Sequence, residues 1–323
     1  MSKPRIIVTR RWPQAVEKIL SEKFDAVLNS DDTPMDSAAL QAAMRDCDAL
    51  CPTVSDKISP DIINCEGRNA KLLANFGVGF NHIDIDAAGN AGVAVSNTPH
   101  VLTDCTADLA MTLMLMIARR AGEGERHVRQ QEWTGWRPTH MMGTKITGKT
   151  LGLIGFGRIA QAMAKKAHYG FGMKIFFYDP YPPADTVVNE LGAVSCGSVE
   201  EVLQQTDFVS LHCPGGDATR HLMNSDRLSA MQSHAYLINT ARGDVVDQQA
   251  LIAALKSNQI AGAGLDVYEG EPAVPEELLE LDNVVLLPHL GSATTDTRVA
   301  MGMRVIENLD AFFSNQPMPD KVV

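Results

Sequence analysis

The chain has 323 residues, 45% of them hydrophobic and 21% charged, an ordinary globular composition whose length points to two domains. Its 28 Lys and Arg against 39 Asp and Glu leave a formal charge of −11. A field of that sign repels phosphate, so nucleic acid and anionic membrane surfaces are excluded as main partners, while a small anionic substrate in a locally positive pocket is not. Six scattered cysteines form no C-x-x-C pair, which excludes a disulfide scaffold and a cysteine-based zinc site and fits free thiols in a reducing, cytoplasmic setting. No signal-like apolar segment is read at the start, and the longest apolar run, 109–118, is half of a membrane span.

In chain order, short aliphatic runs alternate with helix-like stretches. The first set of strands is expected at 5–9, 26–28, 49–51, 72–75 and 93–96, the second at 150–154, 174–178, 208–212, 235–239, 263–267 and 284–287. These runs are apolar on both faces, as strands covered by helices on two sides are, and the alternation predicts an α/β fold with open, mostly parallel sheets. Between the sets, 103–119 carries Asp104 and Asp108 early and Arg119 and Arg120 late, the charge order of a helix, with Leu109, Leu113, Met116 and Ile117 as its expected buried stripe. The polar, Gly- and Trp-containing segment 121–148 is too long for a plain connection and reads as an arm for dimer contacts.

The sharpest local signal is the strand 150–154 running into Gly155-Phe156-Gly157-Arg158-Ile159-Ala160 and then a helix. Gly155 permits the tight turn, Gly157 lets the backbone approach a pyrophosphate, Ala160 allows close helix–strand packing, and the helix N-terminus offers amides to phosphate. About two dozen residues on, the second strand ends at Asp179, placed to accept hydrogen bonds from ribose hydroxyls and to repel a 2′-phosphate. Pro180 to Pro183 supply no Lys or Arg, so NAD is expected rather than NADP.

Three later strand ends carry Arg242, Glu271 and His289. Loops beyond the carboxyl ends of parallel strands line the ligand crevice. A His near neutrality beside a carboxylate suits proton transfer to a forming alkoxide, and an Arg fork suits a carboxylate or carbonyl. By contrast, Gly77-Val78-Gly79 on its residues alone reads as a flexible turn after a strand.

With these motifs assembled, the chain resembles the D-isomer-specific 2-hydroxyacid dehydrogenases over nearly its whole length. The resemblance rests on 75–84 (NFGVGFNHID), 152–159 (GLIGFGRI), 239–243 (NTARG), 264–272 (GLDVYEGEP) and 288–292 (PHLGS). It implies two doubly wound domains of Rossmann/flavodoxin type with a cleft between them: 1–100 plus 291–323 for substrate, and 101–290 for NAD with the arm at about 121–148. Arg242 would bind the carboxylate and carbonyl of a small 2-oxo or 2-hydroxy acid, helped by the Val78 and Gly79 amides, with His289 as acid/base and Glu271, rather than Glu269, as its partner. Cofactor contacts would come from Thr106, Gly155, Gly157, Arg158, Ile159, Asp179, Cys213, Pro214, Thr240, Asp266 and Gly291, with Asp266 on the nicotinamide amide. No metal is implied.

The arm's Trp133-Thr-Gly-Trp136 resembles the glyoxylate/hydroxypyruvate reductase branch, a homodimer in which Trp136 would reach the neighbouring site. Many reductases of that branch place Arg or Ser near the second-strand end and prefer NADPH; Asp179 departs from that pattern. Regulators or corepressors that sense NAD share the fold and the Arg–Glu–His set, and turnover is what separates them from an enzyme.

Overall fold

The computed structural model describes residues 3–323, and the chain divides into two compact units. One takes the chain up to Leu102 and again from Ser292 to Val323; the other is Thr103–Gly291. Every expected strand forms, its ends shifted by no more than a residue or two.

The first unit holds five parallel strands, β1 (Arg5–Val8), β2 (Asp25–Val27), β3 (Ala49–Cys51), β4 (Leu72–Ala74) and β5 (Ala94–Ser96), in the order β2-β1-β3-β4-β5, connected by helices α1 (Gln14–Lys23), α2 (Ser37–Asp46), α3 (Pro60–Ile63) and α4 (Ile85–Asn90). The central strands are apolar on both faces because both are covered. Ile6 and Val8 pack with Val305, Ile306 and Leu309 of the C-terminal helix Thr295–Phe313, whereas Ile7 points into the opposite layer with Leu40, Met44 and Ile62. The open edge at β5 is capped by the chain's own tail, through Val322 N to Val95 O at 2.7 Å and Val95 N to Val323 O at 3.2 Å. Arg304 fixes that tail with a two-pronged bond to the buried Asp320.

The second unit holds β6 (Thr150–Ile154), β7 (Lys174–Tyr178), β8 (Ala193–Ser195), β9 (Phe208–Leu211), β10 (Tyr236–Asn239), β11 (Gly262–Leu265) and β12 (Val284–Leu286). All are parallel, in the order β12-β11-β10-β9-β6-β7-β8, so the strand order reverses between β6 and β9. The strand missing from the sequence reading is β8. It lies at the sheet edge with Val194 and Ser195 exposed, and so lacks the two-sided apolar run that marks the central strands.

Helix α5 (Thr103–Ala118) opens this unit, and its buried face differs from the expected stripe. Ala107, Ala110, Leu113, Met114 and Ile117 are buried, while Leu109 and Met116 are half-buried. Small alanines face inward and let α5 lie close to the sheet and to α7 (Arg158–Phe171), whose Ala160, Ala164 and Ala167 are equally buried. The segment 121–148 contains a helix, α6 (Ala121–Arg129), that the sequence reading did not assign. The segment returns to its starting point through Thr144 N to Ala118 O, 2.7 Å. Among the described residues, no helix is long and apolar enough to cross a membrane, and no cluster of His, Cys, Asp or Glu could hold a metal ion.

Candidate functional site

The turn after β6 is shaped by its neighbours. Gly155 has φ +84°, and a Cβ there would lie 2.8 Å from Cys213 N and 2.9 Å from His212 C, at the end of β9. Only glycine fits both the angle and the approach, and the approach exists because the strand order reverses here. Phe156 anchors the turn in the core, stacked on Phe177 at 3.9 Å. Gly157, in contrast, is exposed with nothing within 4 Å of its missing Cβ. It stands at the N-terminus of α7, which no side chain caps, with Arg158 exposed and Ile159 half-buried beside it and Ala160 buried behind. That open, amide-rich helix start fits a pyrophosphate.

Asp179 proves to be part of the turn itself. Its Oδ2 accepts from Phe156 N at 2.6 Å and its Oδ1 from Tyr181 N at 2.8 Å, so it braces the glycine loop as well as standing at the end of β7. Cys213 is half-buried, and burial pushes its thiol up to about 11, so it stays protonated and serves as packing. Pro214 is exposed next to it.

Arg242, Glu271 and His289 are set by three turns that lean on each other. At the end of β10, buried Asn239 folds the chain over: its Nδ2 donates to Arg242 O at 2.9 Å and its Oδ1 accepts from Ala241 N at 3.0 Å. Gly243 follows, and a Cβ on it would lie 1.9 Å from Tyr268 C, so the Arg242 turn and the 268–271 turn can touch only through a glycine. Arg242 Nη1 donates to Ala241 O at 2.6 Å; burial lowers the guanidinium's pKa while Glu271 and Asp244 oppose that, and the group remains a cation.

Glu271 Oε1 accepts from Tyr268 N at 3.0 Å, and Oε2 lies 2.8 Å from His289 Nδ1. Burial raises the Glu271 carboxyl's pKa, but the bond and charge of His289, the Tyr268 amide and the Arg242 charge together hold it below its ordinary value. An ionised carboxylate only accepts, so Nδ1 carries the hydrogen and Nε2 is left for chemistry. Glu269 is engaged elsewhere, with Arg220 and His221.

His289 itself has φ +55°, a conformation that L residues rarely adopt. Asp266 holds it there. The Asp266 carbonyl accepts from His289 N at 2.9 Å, and its carboxylate accepts from Leu290 N at 2.6 Å and Gly291 N at 2.8 Å. Asp266 has no exposed surface, and burial raises its pKa although both amides oppose this. The nicotinamide contact implied by resemblance would therefore have to use a remaining lone pair of a carboxylate already engaged with backbone. Thr106, expected near the cofactor, is also buried and donates to Gly291 O at 3.0 Å. Thr240 is buried too, and its hydroxyl has no partner among the described residues.

In the other unit, the loop after β4 is not a slack turn. Buried Asn75 donates from Nδ2 to both Gly77 O and Gly79 O at 3.0 Å, Asn97 Nδ2 donates to Val78 O at 2.8 Å, and Thr98 N donates to Gly77 O at 3.0 Å. All three carbonyls are held, and the Val78 and Gly79 amides have no acceptor among the described residues. Amides left without an acceptor can receive an anion.

Sequence reasoning missed the roles of Asn75, Asn97, Asn239 and Gly243. For Asn75 and Asn239 the available signal was an Asn at a strand end before a glycine- or arginine-bearing turn, a residue that folds backbone onto itself; Asn97 and Gly243 offered none.

The family model for the NAD-binding domain of D-isomer specific 2-hydroxyacid dehydrogenases matches residues 111–291. A glyoxylate reductase of Thermococcus litoralis is 43% identical over 99% of this chain and 97% of its own. A glycerate dehydrogenase of Hyphomicrobium methylovorum is 37% identical over 98% of both. Among solved structures, an NADPH-dependent glyoxylate/hydroxypyruvate reductase of Sinorhizobium meliloti, in complex with NADP and malonate, matches with TM-score 0.88 and 36% identity, covering 100% of this chain and 97% of that one. The chain therefore belongs to the D-isomer specific 2-hydroxyacid dehydrogenases, as an oxidoreductase that uses a nicotinamide cofactor.

Proposed function

We propose that this enzyme reduces a small 2-oxo acid of the glyoxylate or hydroxypyruvate type to its D-2-hydroxy acid, with NADH. The observation that carries this reading is the 2.8 Å bond between His289 Nδ1 and Glu271 Oε2, within electrostatic reach of Arg242 and in the same unit as the nucleotide turn. The bound cofactor supplies the hydride. His289 delivers a proton from Nε2 to the oxygen that gains charge, and Glu271 holds the tautomer and stabilises the imidazolium; in oxidation the same nitrogen is the base. Arg242 binds the carboxylate and polarises the carbonyl, and the Val78 and Gly79 amides are carboxylate donors.

The amides at Gly157, Arg158 and Ile159 suit the pyrophosphate, and the unpartnered Thr240 hydroxyl suits a ribose hydroxyl. Cys213 and Pro214 would wall the adenosine side, with Asp266 and Gly291 near the nicotinamide. Asp179 keeps lone pairs for ribose hydroxyls and repels a 2′-phosphate, so NADH is preferred here although the Sinorhizobium meliloti relative is NADPH-dependent. Val128, Trp133, Trp136 and Met142 form an exposed apolar series along the arm, Trp136 at 82% exposure, and a second copy of the chain would cover them in a homodimer.

The test is a panel of 2-oxo acids assayed with NADH and NADPH, on the parent and on His289→Asn. Turnover favouring NADH, with kcat reduced on the order of 10²–10⁴-fold in the variant while NADH still binds, is expected. Undiminished turnover in the variant sinks the His289 role, and a kcat/KM ratio favouring NADPH sinks the role of Asp179. Tight NADH binding without turnover on any 2-oxo acid would mark a sensor.

A further inference from the structure

The turn 289–291 is held by more than Asp266. Thr106 stands one turn inside α5, immediately after the chain enters the second unit, and Gly291 is the last residue before it leaves. The Thr106 hydroxyl joins these two points, 185 positions apart in sequence, by its 3.0 Å bond to Gly291 O. A helical threonine ordinarily bonds back to the carbonyl four residues earlier, as Thr112 does to Asp108 O at 2.8 Å in the same helix. Thr106 gives up that local bond for a distant one.

Both ends of the bond are buried, so the Gly291 carbonyl would be left without a partner if the hydroxyl were lost. The Leu290 and Gly291 amides are fixed by the Asp266 carboxylate and the His289 amide by the Asp266 carbonyl. One peptide carbonyl therefore completes the clamp on a turn whose first residue is His289, at φ +55°. A strained conformation persists only where its surroundings over-determine it.

We infer that Thr106 is a positioning residue for the proton-transfer step, acting through Gly291 on the orientation of His289, and not a cofactor contact. This rests on the acid/base reading of His289 given above. Loss of the hydroxyl lets the turn relax and misaligns the imidazole, which lowers the rate of the step while the pyrophosphate, adenosine and carboxylate contacts that carry most of the binding stay as they were.

The experiment compares Thr106→Val, which keeps shape and removes the donor, with Thr106→Ser, which keeps the donor, by steady-state kinetics and NADH fluorescence titration. For Thr106→Val, kcat falls by about 5- to 20-fold, while KM for the 2-oxo acid and Kd for NADH stay within about twofold. Thr106→Ser stays within about twofold of the parent in kcat. The inference is overturned if Thr106→Val keeps its kcat, if its main change is in NADH affinity, or if Thr106→Ser is as slow as Thr106→Val. Should Thr106→Val not fold, Thr106→Ala gives the same comparison, with bound NADH reporting the fold. His289→Asn separates the two levels: if it stays fast, the acid/base reading and this inference both fall. If it is slow while Thr106→Val is fast, this inference alone falls.

Discussion

Two glycine-bearing loops of this protein present backbone amides without an intramolecular acceptor among the described residues, and they do it by different means. The turn Gly155-Phe156-Gly157 in the second unit ends against a helix of fourteen residues, whose uncapped N-terminus supplies the amides. The loop Gly77-Val78-Gly79 in the first unit has no such helix. Its amides are freed because Asn75 and Asn97 capture its carbonyls. The first arrangement is set by backbone fit, with the end of β9 pressed against Gly155, and the second by two side chains, Asn75 and Asn97, that follow β4 and β5. Disrupting the nucleotide turn should therefore require a change in backbone fit, whereas disrupting the other loop requires only the loss of a side-chain donor.

The largest effect is expected from Gly155→Val. The positive φ and the His212 and Cys213 backbone at 2.8–2.9 Å leave no room for a side chain. NADH affinity by fluorescence titration should fall by about 100-fold or more, with a lowered melting temperature. A variant that melts like the parent and binds NADH normally would break the claim that this turn is sterically determined.

Next comes Asn75→Leu, similar in shape but without donors. Its kcat/KM for the 2-oxo acid should drop by about 10- to 100-fold while NADH affinity is unchanged, because Gly79 O loses its side-chain donor, Gly77 O keeps only the Thr98 amide, and the amides lose their orientation. Equal losses in NADH binding would show that the loop's role is not separable from that of the nucleotide turn.

The smallest change is expected from Gly157→Ala. Its φ of −73° suits any residue and its missing Cβ would meet nothing, so melting should be unaffected. NADH affinity alone should fall, by about 3- to 10-fold, because the methyl group occupies the place of a phosphate. A lowered melting temperature without an affinity change would reverse the assignment of structural and binding roles between Gly155 and Gly157.

Much of this was legible in the amino-acid order. The central strands announce themselves because they are apolar on both faces; the edge strand β2, although exposed, still carries the aliphatic run Ala26-Val27-Leu28, whereas edge strand β8 offers only Val194 and turns Ser195 to water. Arg242, Glu271 and His289 stand at strand ends, which topology turns into a common rim. Of the expected α5 stripe, Leu113 and Ile117 are buried and Leu109 and Met116 only half-buried, because the residues that pack closest include alanines, whose burial reflects how near two helices approach rather than how apolar a residue is. The loop at 77–79 read as slack because nothing local reveals where the Asn75 amide points.

What the sequence by itself determined is therefore whatever repeats at short range: two α/β sheets, the glycine turn before a helix, the lack of Lys or Arg at 180–183 after Asp179, and the residue types needed for hydride chemistry. Tertiary structure alone decided the need for Gly243 where the Tyr268 backbone passes and the clamp of Asp266 and Thr106 on 289–291, and it brings His289 onto Glu271, the partner that the resemblance implied. The physical reason is common to all of these. Periodicity encodes which face of an element is buried, but a hydrogen bond between residues dozens of positions apart exists only once the elements that carry them have packed.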